Sequence, residues 1–124
     1  MLATLAMGAL LMTQASSLAI IGSPAGTETN DVAFETLAGG NASQAVHDLE
    51  ALRAQMPNDP ALLINLGSAY AELGQADRAE QCYRAAMESD VRYELELADG
   101  SWVDSRRAAR QALRDLTSEN LALN

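Results

Sequence analysis

The sequence predicts an all-α fold of about two helical hairpins, closed by a short β-hairpin and one further helix. Three observations predict it. Residues 63–86 hold two amphipathic stretches split at Gly74, with small residues at Gly67 and Ala79 where two helices would touch. The pattern recurs in weaker form upstream, with Gly40 and Ala45 in the places of Gly74 and Ala79. The period then changes to two at Tyr93-Glu94-Leu95-Glu96-Leu97, ahead of the turn pair Asp99-Gly100.

From Met1 to Thr27 the chain carries no charged side chain. Leu2 to Met12 is almost wholly apolar, and Leu18 to Ile21 is a second apolar patch after Thr13-Gln14-Ala15-Ser16-Ser17. An apolar run followed by small residues has the form of an export signal. Ser17-Leu18-Ala19 and Ser23-Pro24-Ala25 each set small residues at the two positions a signal peptidase reads. No Lys or Arg stands near Met1, so the terminal amine is the sole positive charge there. We read residues 1–25 as a signal peptide or N-terminal apolar segment, with a periplasmic or secreted destination and the cytoplasm as the alternative. The other two readings are an uncleaved membrane anchor, which Gln14 and the serines disfavour, and a packing helix of the domain. No cysteine follows the apolar run, which excludes lipid attachment there. Gly22 to Asn30 has the composition of a linker.

Residues 26–92 hold the hairpins. Gly67 and Ala79 lack bulk, so the two helices of the second hairpin can approach closely. Tyr70 and Tyr83 are large enough to fill the space beside them. Gly74 can take the left-handed conformation that ends the first helix, and Asp77 favours the start of the second through its negative charge. Counted from Pro60, the residues Leu66, Gly67, Tyr70, Gly74, Ala79, Tyr83 and Ala86 stand where the tetratricopeptide repeat has its signature residues. The segment resembles that family. Leu63 replaces its usual Trp, and Val91 its usual Pro. In the weaker copy Ala45, Leu49 and Leu52 align with Ala79, Tyr83 and Ala86, and Pro57 takes the terminal Pro position. The copy's first helix, near Val32 to Ala38, departs further, with Ala33 for Gly and Thr36 for the aromatic. The resemblance spans about residues 28–91 and implies tetratricopeptide-like hairpins that bind proteins.

Residues 93–124 depart from the repeat. With Asp99-Gly100 as a two-residue turn, Leu97 would lie opposite Trp102 and Glu96 opposite Val103. Leu95, Leu97 and Trp102 would then lie on or near one face, and Trp102 would anchor the hairpin on the repeats; the competing reading is an exposed Trp102 that forms part of the partner surface. Asp104 or Ser105 can cap the next helix, whose apolar face is Ala109, Ala112, Leu113 and Leu116. Arg106, Arg110 and Arg114 recur every fourth residue, with Arg107 beside them. This stripe reads either as a docking surface for an acidic partner or anionic ligand, or as a solvated face paired with Glu94, Glu96 and Asp99.

Composition narrows the function. Hydrophobic residues make up 48% of the chain but aromatics only 4%, so alanine and leucine must supply the packing. The net charge of −9 opposes nucleic acid binding. No lysine is present, and every cation is arginine. The lone Cys82 reads as a small buried hydrophobe. His47, with Asp48 and Glu50 nearby, lacks a second His or a Cys to complete a metal set. Gly67-Ser68 lies within a helix and is not a nucleophile elbow. No phosphate-binding loop is present. We expect no catalytic, cofactor or metal site, and no enzyme.

Some tetratricopeptide domains clamp a C-terminal carboxylate with Lys, Asn and Arg on the first helix of a repeat. The resemblance places Ile64, Asn65, Ser68 and Glu72 at those positions, and only Asn65 suits the role. With Arg106, Arg110 and Arg114 they form the candidate partner-binding set. The expected function is an exported scaffold or adaptor for a protein partner. The alternative is a self-associating subunit, a homodimer that uses the open end of the stack. A membrane enters only if the N-terminal segment stays uncleaved.

Overall fold

The computed structural model describes residues 20–22, 40–97 and 99–123. In chain order the elements are β1 (Ile20–Gly22), α1 (Ala42–Arg53), α2 (Pro60–Glu72), α3 (Ala76–Glu88), β2 (Glu94–Leu97), β3 (Trp102–Asp104) and α4 (Ser105–Leu123). The poor first helix expected near Val32 to Ala38 lies outside the described residues.

Side-chain caps begin three of the helices. Asn41 Oδ1 accepts from the Gln44 amide at 3.1 Å and starts α1. Asp59 Oδ2 accepts from the Leu62 amide at 3.1 Å, and Pro60 follows in the first turn of α2, where its missing N–H costs nothing. Asp104 Oδ1 accepts from the Arg106 and Arg107 amides, both at 3.1 Å, and starts α4. Gly40 and Gly74 precede α1 and α3 with φ of 81° and 76°. This matching left-handed backbone, at equivalent places in the two copies, is the conformational counterpart of the sequence repeat.

The strong hairpin is α2 and α3. A Cβ at Gly67 would stand 2.6 Å from Cε1 of Tyr83, so only glycine lets α3 come this close. Tyr83 fills the gap, and its hydroxyl shares a 3.2 Å hydrogen bond with Ser68 Oγ. Ala79 and its counterpart Ala45 are both wholly buried. α2 is buried from Pro60 to Tyr70, because α1, α3, α4 and β1 all pack on it. A helix apolar on every side belongs in such a central place. α4 covers α3 with Ala108, Ala109, Ala112 and Leu116, while Leu113 is half-buried.

The β-hairpin forms, but in a different register. Glu94 pairs with Asp104, Leu95 with Val103 and Glu96 with Trp102, and the Leu97 amide donates to Ser101 O at 2.8 Å. Three residues therefore separate the paired ends, not two. Gly100, at φ 86°, supplies the left-handed residue such a loop requires. A shift of one residue exchanges the faces of a strand. Leu95 stays inward and wholly buried, whereas Trp102 moves to the other face and is 59% exposed. The expectation that Trp102 anchors the hairpin is thereby corrected. Tyr93 does that work instead. Its hydroxyl donates to the Asp59 carboxylate at the start of α2, its carbonyl accepts from the Ser105 amide at 2.9 Å, and its amide donates to Ser105 Oγ.

The sheet also has a third strand, in the order β1-β2-β3. β1 runs antiparallel to β2, with Ile20 opposite Leu97 and Gly22 opposite Glu96. This strand lies inside residues 1–25, the segment set apart by sequence. Three residues are too few to register as a periodicity. Among the described residues no helix is long and apolar enough to cross a membrane.

Candidate functional site

The candidate partner-binding residues on α2 do not form an open groove. Ile64, Asn65 and Ser68 are 0%, 1% and 0% exposed, so no partner reaches them in this form. α1, α3, α4 and β1 all lie against α2, so the chain covers these positions with its own elements. Glu72 is half-buried. It lines a cavity of about 440 Å³ between the start of α1, the end of α2 and α4, together with Tyr83 and Glu119. Burial pushes the Tyr83 hydroxyl up to about 12, and Glu119 and Asp115 add to the effect.

The arginine stripe divides in two. Arg106 turns inward, and its Nη2 donates to Ser89 O at 2.9 Å. This arginine thus ties α4 to the end of α3, and Ser89 Oγ, donating to Asn58 O at 2.6 Å, ties the end of α3 to the loop before α2. Arg106 therefore leaves the docking set. Arg110 and Arg114 stay exposed, and Arg107 joins them. Residues 107, 110 and 114 are three and four apart, which puts them on one helical face.

The acidic residues expected to neutralise that face do not do so. Among the described residues the arginine ion pairs are Arg53–Glu50, Arg84–Glu80 and Arg92–Asp104, and none involves Arg107, Arg110 or Arg114. Asp99 accepts from the Ser101 hydroxyl and amide inside its own turn, and these bonds hold its carboxyl below the usual range. Asp104 is held low by the Arg92 guanidinium, with help from the amides it caps.

A largely apolar notch of about 320 Å³ adjoins Arg107, the first of the exposed arginines. Leu97, Trp102, Val103 and Ala108 wall it, and Arg107 and Gln111 stand at its rim. Trp102 is thus an exposed aromatic of the hairpin that shares this notch with the exposed Arg107. Aromatics and arginines are the residue types that carry binding energy at protein interfaces.

A second polar cluster lies between α1, α2 and α3. The Tyr70 hydroxyl donates to Glu50 Oε2, and the Arg78 guanidinium sits 5.6 Å from the Tyr70 ring centroid. Burial raises the pKa of Tyr70, and the Glu50 carboxylate adds to it. Cys82 lies beneath, 2% exposed, with its thiol pushed by burial up to about 11. At neutral pH it is a protonated packing residue. His47 is largely exposed and lies 3.4 Å from Asp48. Among the described residues no three His, Cys, Asp or Glu side chains gather as a metal would need.

Two placements were not assigned from sequence: Trp102 at the surface, weighed only as the competitor to the anchor, and Arg107 within the stripe, set only beside it. The second was legible, since 107, 110 and 114 share a face more closely than 106, 110 and 114 do. The first was not, because it depends on the length of the hairpin loop. Compared with known proteins, residues 36–95 match the family described as Tetratricopeptide repeat. No curated protein and no solved structure matches the chain.

Proposed function

The chain is a tetratricopeptide repeat protein over residues 36–95, and on that premise we propose that it serves as an exported adaptor whose docking face is the outer side of α4 with Trp102. Its general class, a protein–protein interaction module, follows from the repeat. The finer reading is supported by one observation above others: Arg107, Arg110 and Arg114 lie exposed and without ion pairs among the described residues, Arg107 shares a notch with the exposed Trp102, and Ile64, Asn65 and Ser68 on α2 are buried.

Site-specific photo-crosslinking in cells tests the face. A photoreactive residue at Gln111 should capture a partner, and one at Glu80 on the outer side of α3 should not. Capture at Glu80 alone would move the docking face elsewhere. The alternative of a self-associating subunit is separated by light scattering, where a monomer at micromolar concentration removes it. The net charge of −9 works against self-association.

Export is supported by the chargeless stretch from Met1 to Thr27. Cleavage after Ala19 would leave β1 on the mature chain, whereas cleavage after Ala25 would remove it. Intact mass of the protein recovered from a periplasmic fraction reads the result. A mature chain beginning at Ile20 supports export, and uncleaved protein confined to the cytoplasm refutes it.

A further inference from the structure

We propose that the α4 face takes an acidic, extended segment of a protein partner, with one apolar side chain of that segment seated in the notch beside Trp102. The proposal rests on the docking face argued above and specifies the chemistry of what docks there.

Charge is the first argument. Four of the eight cations of the chain fall within residues 106–114, on a body whose net charge is −9. Three of the four are exposed and lack ion pairs among the described residues. Elsewhere, among the described residues, Arg53, Arg84 and Arg92 are ion-paired, with Asp104 2.6 Å from Arg92 and Glu80 2.8 Å from Arg84. Guanidinium groups take carboxylates in a two-pronged geometry, which suits an acidic peptide better than a diffuse counterion cloud.

Spacing is the second. Along α4, Arg110 and Arg114 are separated by about 6 Å of helix rise. Side chains on one face of an extended chain repeat at about 6.6 Å. Carboxylates on alternate residues of an extended segment therefore meet successive arginines without bending the backbone. Arg107 extends the track toward the notch, which it also lines.

The notch is the third. Leu97, Val103 and Ala108 give it an apolar floor, and Trp102 offers an exposed wall that a bound side chain would cover. A nucleic acid would meet three free arginines and an otherwise repelling body. A second copy of this chain would bring the same net charge against its own.

Trp102 is the sole tryptophan, so its fluorescence reports directly on the notch. The full chain is titrated with a short synthetic peptide bearing glutamate at alternate positions and one central leucine. Matched peptides carry glutamine or lysine instead of glutamate. A single-stranded oligonucleotide and phosphatidylglycerol vesicles complete the set. The acidic peptide should give a saturable blue shift that weakens with added salt. The double variant Arg110→Glu/Arg114→Glu, with an unchanged circular dichroism spectrum, should bind it about tenfold or more weakly. Equal binding of the glutamine peptide would overturn the acidic specificity and leave the docking face standing. Tighter binding of the oligonucleotide or the vesicles would overturn the proposal in favour of that ligand. No shift with any peptide would also overturn it, and crosslinking at Gln111 then shows separately whether the face itself holds.

Discussion

Gly67→Ala isolates the contact on which the strong hairpin depends. The new Cβ would lie 2.6 Å from Cε1 and 2.8 Å from Cδ1 of Tyr83. Carbon atoms at rest stand about 3.5–4.0 Å apart, so the ring must retreat by roughly 1 Å. It has little room, being 3% exposed and held through its hydroxyl by Ser68. Overpacking of this kind costs about 1–3 kcal/mol. Loss of the Ser68–Tyr83 hydrogen bond adds about 1 kcal/mol. The better helix propensity of alanine offsets about 1 kcal/mol. The net expectation is a loss of about 2 kcal/mol, read as a lower denaturant midpoint at unchanged slope in far-ultraviolet circular dichroism. The same change is then made in Tyr83→Leu. With the ring gone, Gly67→Ala should become neutral or stabilising, which gives a coupling energy of about 2 kcal/mol. Equal destabilisation in both backgrounds, with coupling below about 0.5 kcal/mol, would refute the close contact and with it the register of α2 on α3.

The remaining expectations concern the C-terminal third. Trp102 should emit as an exposed indole, be readily quenched by iodide, and tolerate Trp102→Ala within about 0.5 kcal/mol in a denaturant titration. Leu95→Ala, at the wholly buried position of the same hairpin, should cost about 2–5 kcal/mol in that assay. Asp104→Ala removes the α4 cap and should cost about 0.5–2 kcal/mol at neutral pH. The folded Asp104 carboxyl is held low, so its contribution is present above the unfolded carboxylate pKa of about 3.9 and disappears as pH falls through the folded value. Stability measured from pH 7 downward should therefore show wild type and Asp104→Ala converging in acid, and a constant gap would refute the cap.

The sequence by itself determined the repeat. Spacing and residue size sufficed, because glycine, alanine and tyrosine meet at positions set by helical geometry alone. Hence Gly67, Gly74, Ala79 and Tyr83 all stand where they were expected. The expected cap at Asp104 was equally local, since its carboxylate reaches amides two and three residues on, and the Asp59 cap, unread in the sequence, is just as local. Only the tertiary structure decided which surface stays open. The face of Trp102 turned on one residue of loop length, and strand alternation converts so small a difference into a complete exchange of inside and outside. The burial of Ile64, Asn65 and Ser68 depended on α1, α3, α4 and β1 all packing on α2. Arg106 was drawn inward by a carbonyl at the end of α3, 17 residues away in the chain. No periodicity within α4 contains that contact, although the closer shared face of 107, 110 and 114 already set residue 106 slightly apart.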